Sequence, residues 1–279
     1  MQSLKQRHFI ISKIIPYVVL TIIGILFLVP LLWMILASFD SHASLKASLP
    51  QQWSLANFQS VLQNPANIQS FINGVVLSLG QAILVVILAG LAAYPLSRYQ
   101  LKYKRPFMYT ILFATGLPIT AVMVPVYELF VHFNLQDSIF WTMIFLTASS
   151  LPYAIWIMKN FMDSVPLELE EAAWVDGGSI LQTLGRIVMP LMLPGIFTVG
   201  IFTFSGSWGN FFVPFILIQT PTKLPASVSI FQFFGQYGMV QYGQLAAFSF
   251  LYTIPAVLLY ILSQRFMSKG FNFSGGTKG

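Results

Sequence analysis

The sequence predicts an all-α, polytopic membrane protein with six transmembrane helices and one short cytoplasmic helix between the fourth and fifth. Three observations carry this reading. At 279 residues, 56% hydrophobic composition and a mean hydropathy of +0.75, the chain is too apolar for a water-soluble globule of its length. Six stretches reach the about 20 mostly apolar residues that a helix needs to cross a hydrocarbon core. Five of the eight acidic residues, Asp163, Glu168, Glu170, Glu171 and Asp176, crowd between positions 163 and 176, a polar island in a chain that is only 8% charged.

The first span runs from Ile14 to Ser38, behind Lys5, Arg7 and Lys13. A signal peptide has the same polarity, but its apolar region is about 7–15 residues, so this longer stretch reads as a retained span. The others run over 71–95, 106–128, 138–158, 195–218 and 248–267. Basic residues are held on the cytoplasmic side. With the N-terminus inside, 12 of the 14 Lys and Arg residues fall in inner segments, and only Lys46 and Lys223 fall outside. Both termini and the acidic island, within a loop over 159–194, are therefore expected in the cytoplasm, and the net charge of +6 reflects retention rather than nucleic-acid binding.

Within the second span, Gly74, Gly80 and Gly90 with Ser78, Ala82 and Ala89 offer small side chains for close helix packing. Pro95 marks its end or a bend. Pro118 and Pro125 in the third span each free a backbone carbonyl and are either hinges or fixed kinks. Glu128 lies at the outer end of that span, where it reaches water. The chain has no cysteine, which excludes disulfides and thiolate metal sites, and His8, His42 and His132 stand apart at no ligand-like spacing.

The island has its own logic. Pro166 opens a short helix, because its missing N–H costs nothing in a first turn, and the acids that follow complement the positive end of the helix dipole. Ala172 and Ala173 leave one side nearly flat, and Gly177-Gly178 closes the helix, since glycine adopts the left-handed conformation cheaply. Such a helix suits docking into a groove on another protein.

Glu171-Ala172-Ala173, three residues, Gly177, nine residues and Ile187-Val188-Met189-Pro190 resembles the EAA loop of the membrane permease subunits of binding-protein-dependent ABC importers. Met189 replaces the usual leucine, a volume-conserving change. The end of the second span, Ala92-Ala93-Tyr94-Pro95-Leu96-Ser97-Arg98, resembles that of the sugar-importing branch. Ser207-Trp208-Gly209-Asn210-Phe211-Phe212-Val213-Pro214 more loosely resembles a run in its second, maltose-type permease, as does the terminal Lys278-Gly279.

The resemblance implies a single permease domain over 1–279 in a bacterial or archaeal plasma membrane. Its implied partners are a second homologous permease, two cytoplasmic ATPases, an extracytoplasmic binding protein, a sugar-like solute and membrane lipid. The coupling helix would sit in a cleft of an ATPase. Glu170 and Glu171 would pair with basic residues there, Ala172 and Ala173 would allow close approach, and Gly177 would set the turn, with Asp176, Ile187 and Pro190 completing the loop. The chain itself is expected to be non-catalytic: it has no Gly-x-x-x-x-Gly-Lys-(Ser/Thr) loop, so ATP and Mg belong to the partner and no cofactor is bound here. Ser149 and Tyr153 in the fourth span, with Trp208 and Asn210 in the fifth, are candidate solute-path residues, because sugars need both ring stacking and hydrogen bonds; packing is the competing role for the last two. An ion-gradient transporter is the alternative, but it calls for mid-membrane acids or broken helices. An intramembrane enzyme calls for paired polar groups at one depth, and none is visible.

Overall fold

In a computed structural model, residues 2–46, 48–235 and 240–274 are described, with side chains described from 14 to 264 within those ranges. The terminal Lys278-Gly279 lies outside them, as do the side chains of Lys5, Arg7, Lys13, Arg265 and Lys269. Among the described residues the regular structure is helical, apart from an isolated β-bridge between Asp40 and Trp53.

The chain divides into two compact units. The first comprises residues 1–65 and 230–253. It holds α1 (Gln2–Ser38), whose side chains between Ile14 and Leu32 are mostly exposed, as befits a helix facing lipid or another subunit. The chain turns after α1 because Asn57, on the short α2 (Ala56–Gln63), donates its amide hydrogens to the carbonyls of Ser38 at 3.2 Å and Asp40 at 2.8 Å.

The second unit comprises 66–229 and 254–279. Its backbone is α3 (Pro65–Arg98), which starts six residues before the expected second span and ends three after it, so Pro95 lies inside the helix and close to its end. One stripe of α3 is buried, running through Gly74, Leu77, Ser78, Gln81, Ala82, Val85, Ala89 and Ala93 at helical spacing. The small residues do what their size allows: a Cβ on Gly74 would lie 3.0 Å from the Trp208 ring, and one on Gly80 would lie 2.5 Å from Met143 Cε.

The expected third span is not one straight helix. It is α4 (Lys104–Thr115) and α5 (Ile119–His132), meeting at 95°. Pro118 supplies the break: it sits extended at ψ 127° and disfavours helix in the residue before it. Pro125 stays within α5. The fourth span is α6 (Ile139–Asp163). The island follows as α7 (Glu168–Val175), then α8 (Ile180–Leu191) bent 72° against α9 (Leu193–Trp208). The fifth span thus ends at Trp208 instead of Ile218, and after Gly209-Asn210-Phe211 the chain resumes as the short α10 (Phe212–Leu217). The last helix is α11 (Tyr242–Ser274). Among the described residues four helices are long and apolar enough to cross a membrane, or up to six if each bent pair is one span.

Two apolar clusters hold the second unit. Near the island, Val85, Ala89 and Ala93 of α3 meet Met158 and Met162 of α6, Val188 of α8, and Met192 and Val199 beyond it. Toward the other end, Leu77 packs with Met123, Phe130, Leu146, Val213 and Leu217.

Between α5 and α6, Asn134 and Asp137 take positive φ of 54° and 56°, a conformation that Asn and Asp tolerate better than most residues. The Asp137 carboxylate accepts hydrogen bonds from the amides of Gln219 (3.0 Å) and Thr220 (2.8 Å), the Thr220 hydroxyl (2.6 Å) and the Lys223 ammonium (2.8 Å). The Lys223 and Thr220 bonds hold its carboxyl well below the usual aspartate range. A depressed folded value means that this contribution to stability is present above the unfolded pKa of about 4 and is lost only as pH falls through the lower folded one. Protection of the Gln219 and Thr220 amides from hydrogen exchange should therefore persist at pH 4, whereas Asp137→Ala should speed their exchange several-fold at neutral pH. Wild-type loss of protection at pH 4–5 would refute the clamp.

Candidate functional site

The island is built as two capped helices joined by a fixed turn. At the end of α7, the Gly177 N–H donates to the Trp174 carbonyl at 3.0 Å and the Gly178 N–H donates to the Ala173 carbonyl at 2.8 Å, with Gly177 at φ +86°. This is the double hydrogen-bond closure that a left-handed glycine permits. Ser179 then opens α8 with reciprocal bonds: its hydroxyl accepts from the Gln182 amide at 3.3 Å, and the Gln182 side-chain oxygen accepts from the Ser179 amide at 3.0 Å. The backbone groups freed by ending one helix and starting another are thus satisfied locally.

The two faces of α7 differ. Outward lie Glu168, Glu171, Ala172, Asp176 and Gly177, with Leu169, Trp174 and Val175 also exposed, the last at 88%. Just beyond, Ile180 and Leu181 of α8 are 53% and 79% exposed. Ala173 and Ile187 are half-buried, and Pro190 is exposed. Apolar side chains this exposed, rimmed by acids, form a surface fit for a partner.

Glu170 corrects the sequence-based expectation. It does not face outward; it is fully buried, and its carboxylate accepts from Arg98 Nε at 2.6 Å and from the Tyr94 hydroxyl at 3.1 Å. Arg98 also donates from Nη2 to the Val165 carbonyl at 3.0 Å. Close by, Asp163 accepts from Ser97 Oγ at 2.6 Å and pairs with Lys159. The end of α3, the end of α6 and α7 are thereby tied by charge-assisted bonds. The physical reason for the inward turn is this partner: a carboxylate is buried only where a cation and donors meet it.

A second feature is a cavity of about 310 Å³ between α3, α6 and α9. Of the four candidate path residues, Ser149, Tyr153 and Asn210 line it. Trp208 does not: it is 5% exposed, stacks on Phe204 at 6.0 Å and fills the hollow left by Gly74. Asn210 has a structural duty as well, since its side-chain oxygen accepts from the Val213 amide at 3.1 Å, at the start of α10. The cavity also includes Ser150, Ser207 and Gln81, the last of which the sequence reading assigned no part in a path. Gln81 is the one amide side chain between Asn73 and the end of α3, and that was the available signal. Among the described residues no cluster of potential metal ligands is present.

Residues 85–271 match the family of the binding-protein-dependent transport system inner membrane component. The chain belongs to this family. Similar curated permeases include a putative ABC transporter permease protein, ORF2, of Caldicellulosiruptor sp. (strain Rt8B.4), 30% identical over 90% of this chain and 92% of the relative. The maltodextrin transport system permease protein MdxG of Bacillus subtilis (strain 168) is 26% identical over 96% of this chain and 97% of its own length. In fold, the chain resembles a subunit in the crystal structure of a bacterial ABC transporter involved in import of the acidic polysaccharide alginate, with a TM-score of 0.80, 22% identity and coverage of 91% and 96%. The segment matched to the transport family contains both Arg98 and Glu170 and all of α7 and α8, while Gln81 lies four residues before its start.

Proposed function

We propose that this chain is a membrane-spanning permease subunit of an ATP-driven importer of carbohydrate or related polyol solutes, with both termini in the cytoplasm. The observation that carries this reading is the outward face of α7 and α8, where Leu169, Trp174, Val175 and Leu181 stand exposed among Glu168, Glu171 and Asp176 on a turn with its backbone bonds closed. Such a surface fits a groove on a cytoplasmic ATPase that offers apolar and basic side chains. The carbohydrate class draws support from relatives such as the maltodextrin permease.

In this mechanism the chain hydrolyses nothing. Two ATPases close on ATP and carry α7 with them. Because Glu170 ties α7 to Arg98 at the end of α3, that displacement passes directly into the longest helix of the second unit and alters access to the cavity beside Gln81. A second, related permease completes the path, and an extracytoplasmic binding protein delivers the solute.

Gentle detergent extraction of the tagged chain, followed by mass identification of what stays bound, tests the assembly. An ATPase, a second permease and an exported binding protein should co-purify, and cells depleted of ATP should stop accumulating the solute. Recovery of the chain alone, with uptake surviving ATP depletion, would overturn the reading in favour of an ion-driven carrier.

A further inference from the structure

We infer that Gln81 is a solute-contacting residue and that the cavity it lines is built for an uncharged, hydroxyl-bearing solute and against an anionic one. The inference rests on the carbohydrate-importer reading and adds to it the polarity of the solute at this site. It begins with where hydrogens are spent. Gln81 is 3% exposed, near the midpoint of α3, and its Nε2 donates to the Leu146 carbonyl at 3.0 Å and to Ser150 Oγ at 2.9 Å. A carbonyl only accepts, so the amide nitrogen must face Leu146 and the amide oxygen must point elsewhere. That oxygen, Oε1, has no hydrogen-bond partner among the described residues. Neither does the buried hydroxyl of Ser207, which lines the same cavity from α9.

The neighbouring hydroxyls are committed in the same way. Ser149 and Ser150 both direct their protons to the Leu146 carbonyl, each at 2.9 Å. Gln81 thus has both amide hydrogens directed to named partners while its oxygen keeps its lone pairs. The lining therefore offers an acceptor at Gln81 Oε1 beside hydroxyls of Tyr153, Thr203 and Ser207 that can donate or accept, a mixture that a sugar hydroxyl, itself both donor and acceptor, can meet. Sugar hydroxyls donate; a carboxylate or phosphate ester does not. No Lys, Arg, His, Asp or Glu lines the cavity, so an anion moved into it would shed water and find no compensating cation. A buried acceptor without a partner is uncommon in native proteins and is expected where a ligand supplies the missing group. With about 310 Å³, the cavity is at the small end of ligand pockets, enough for a local contact along a path.

The test uses the complete transporter in nanodiscs without its binding protein, so that selection by the binding protein is removed. Saturation-transfer NMR is recorded with four trisaccharide probes: maltotriose, cellotriose and tri-N-acetylchitotriose, which are neutral, and trigalacturonate, which is anionic. At least one neutral probe should bind, with trigalacturonate at least tenfold weaker. Gln81→Leu should weaken the neutral probe at least tenfold. Ser207→Ala, which removes an unpartnered hydroxyl and leaves the packing in place, should weaken it to a smaller but measurable extent, so the inference stays testable if the Gln81 variant fails to assemble.

Equal binding of trigalacturonate, or unchanged neutral binding in both variants, overturns this inference while leaving the importer reading intact if cells still accumulate neutral sugar in an ATP-dependent way. If the wild-type transporter binds no neutral probe and cells accumulate no sugar, the carbohydrate reading falls and takes this inference with it.

Discussion

Arg98→Ala is expected to lower stability by about 3–5 kcal/mol, because it leaves the Glu170 carboxylate buried with only the Tyr94 hydroxyl for support. The side chains of Arg98 and Glu170 are 8% and 0% exposed, so solvent screens little of the loss. Lys159→Ala is the matched control: its partner Asp163 is 42% exposed, and pairs of that kind are worth about 0–1 kcal/mol. Replacing both members of the buried pair, Arg98→Met with Glu170→Leu, should recover most of the stability, since the desolvation penalty disappears together with the attraction. Yet the double variant should transport poorly, because α7 would then be held to α3 by packing alone. Thermal unfolding of the purified transporter, read beside solute uptake, separates the two effects. Equal melting of the Arg98 and Lys159 variants would show that the buried pair anchors nothing.

Gly177→Glu should abolish uptake while leaving the amount of protein in the membrane unchanged. Nothing lies within 4 Å of a Cβ placed there, so the substitution meets no clash. The penalty is conformational: at φ +86° a side chain costs about 1–2 kcal/mol, which the last turn of α7 relieves by unwinding. Unwinding releases the bonds from Gly177 to Trp174 and from Gly178 to Ala173 and displaces the exposed Trp174 and Val175. The residue lies outside every span, so insertion is untouched. Gly177→Asn, which tolerates the left-handed region, should retain intermediate uptake. Uptake assays alongside quantitative blots of membranes decide the matter; normal transport by Gly177→Glu would sink the coupling role given to this turn.

Much of α7 was legible in advance because its signals are local. Pro166, the acids and Gly177-Gly178 act within a turn of one another, and the helix they frame runs from Glu168 to Val175. The direction in which Glu170 points was not legible. Its partner Arg98 is 72 residues away, and helical spacing shows which residues share a face without showing which face turns inward. The long spans were readable from apolar length, but a window of hydropathy is blind to angle. The pair α4 and α5 has the composition of one span and a 95° bend, and Gly116-Leu117-Pro118 was the only mark of it. Trp208 resembled a path residue by its neighbours in sequence, whereas Gly74, the residue that makes room for it, lies 134 positions away.

The separation of Arg98 from Glu170 also sets a timetable for biosynthesis. At about 5–20 residues per second, the ribosome delivers Glu170 roughly 4–14 s after Arg98. Throughout that interval the guanidinium at the end of α3 lacks its counter-charge, and α7 does not yet exist. When Glu170 arrives, α7 is seated only if α3 already ends in the right place. A nascent chain with a misplaced α3 would thus leave the ribosome without a properly seated α7.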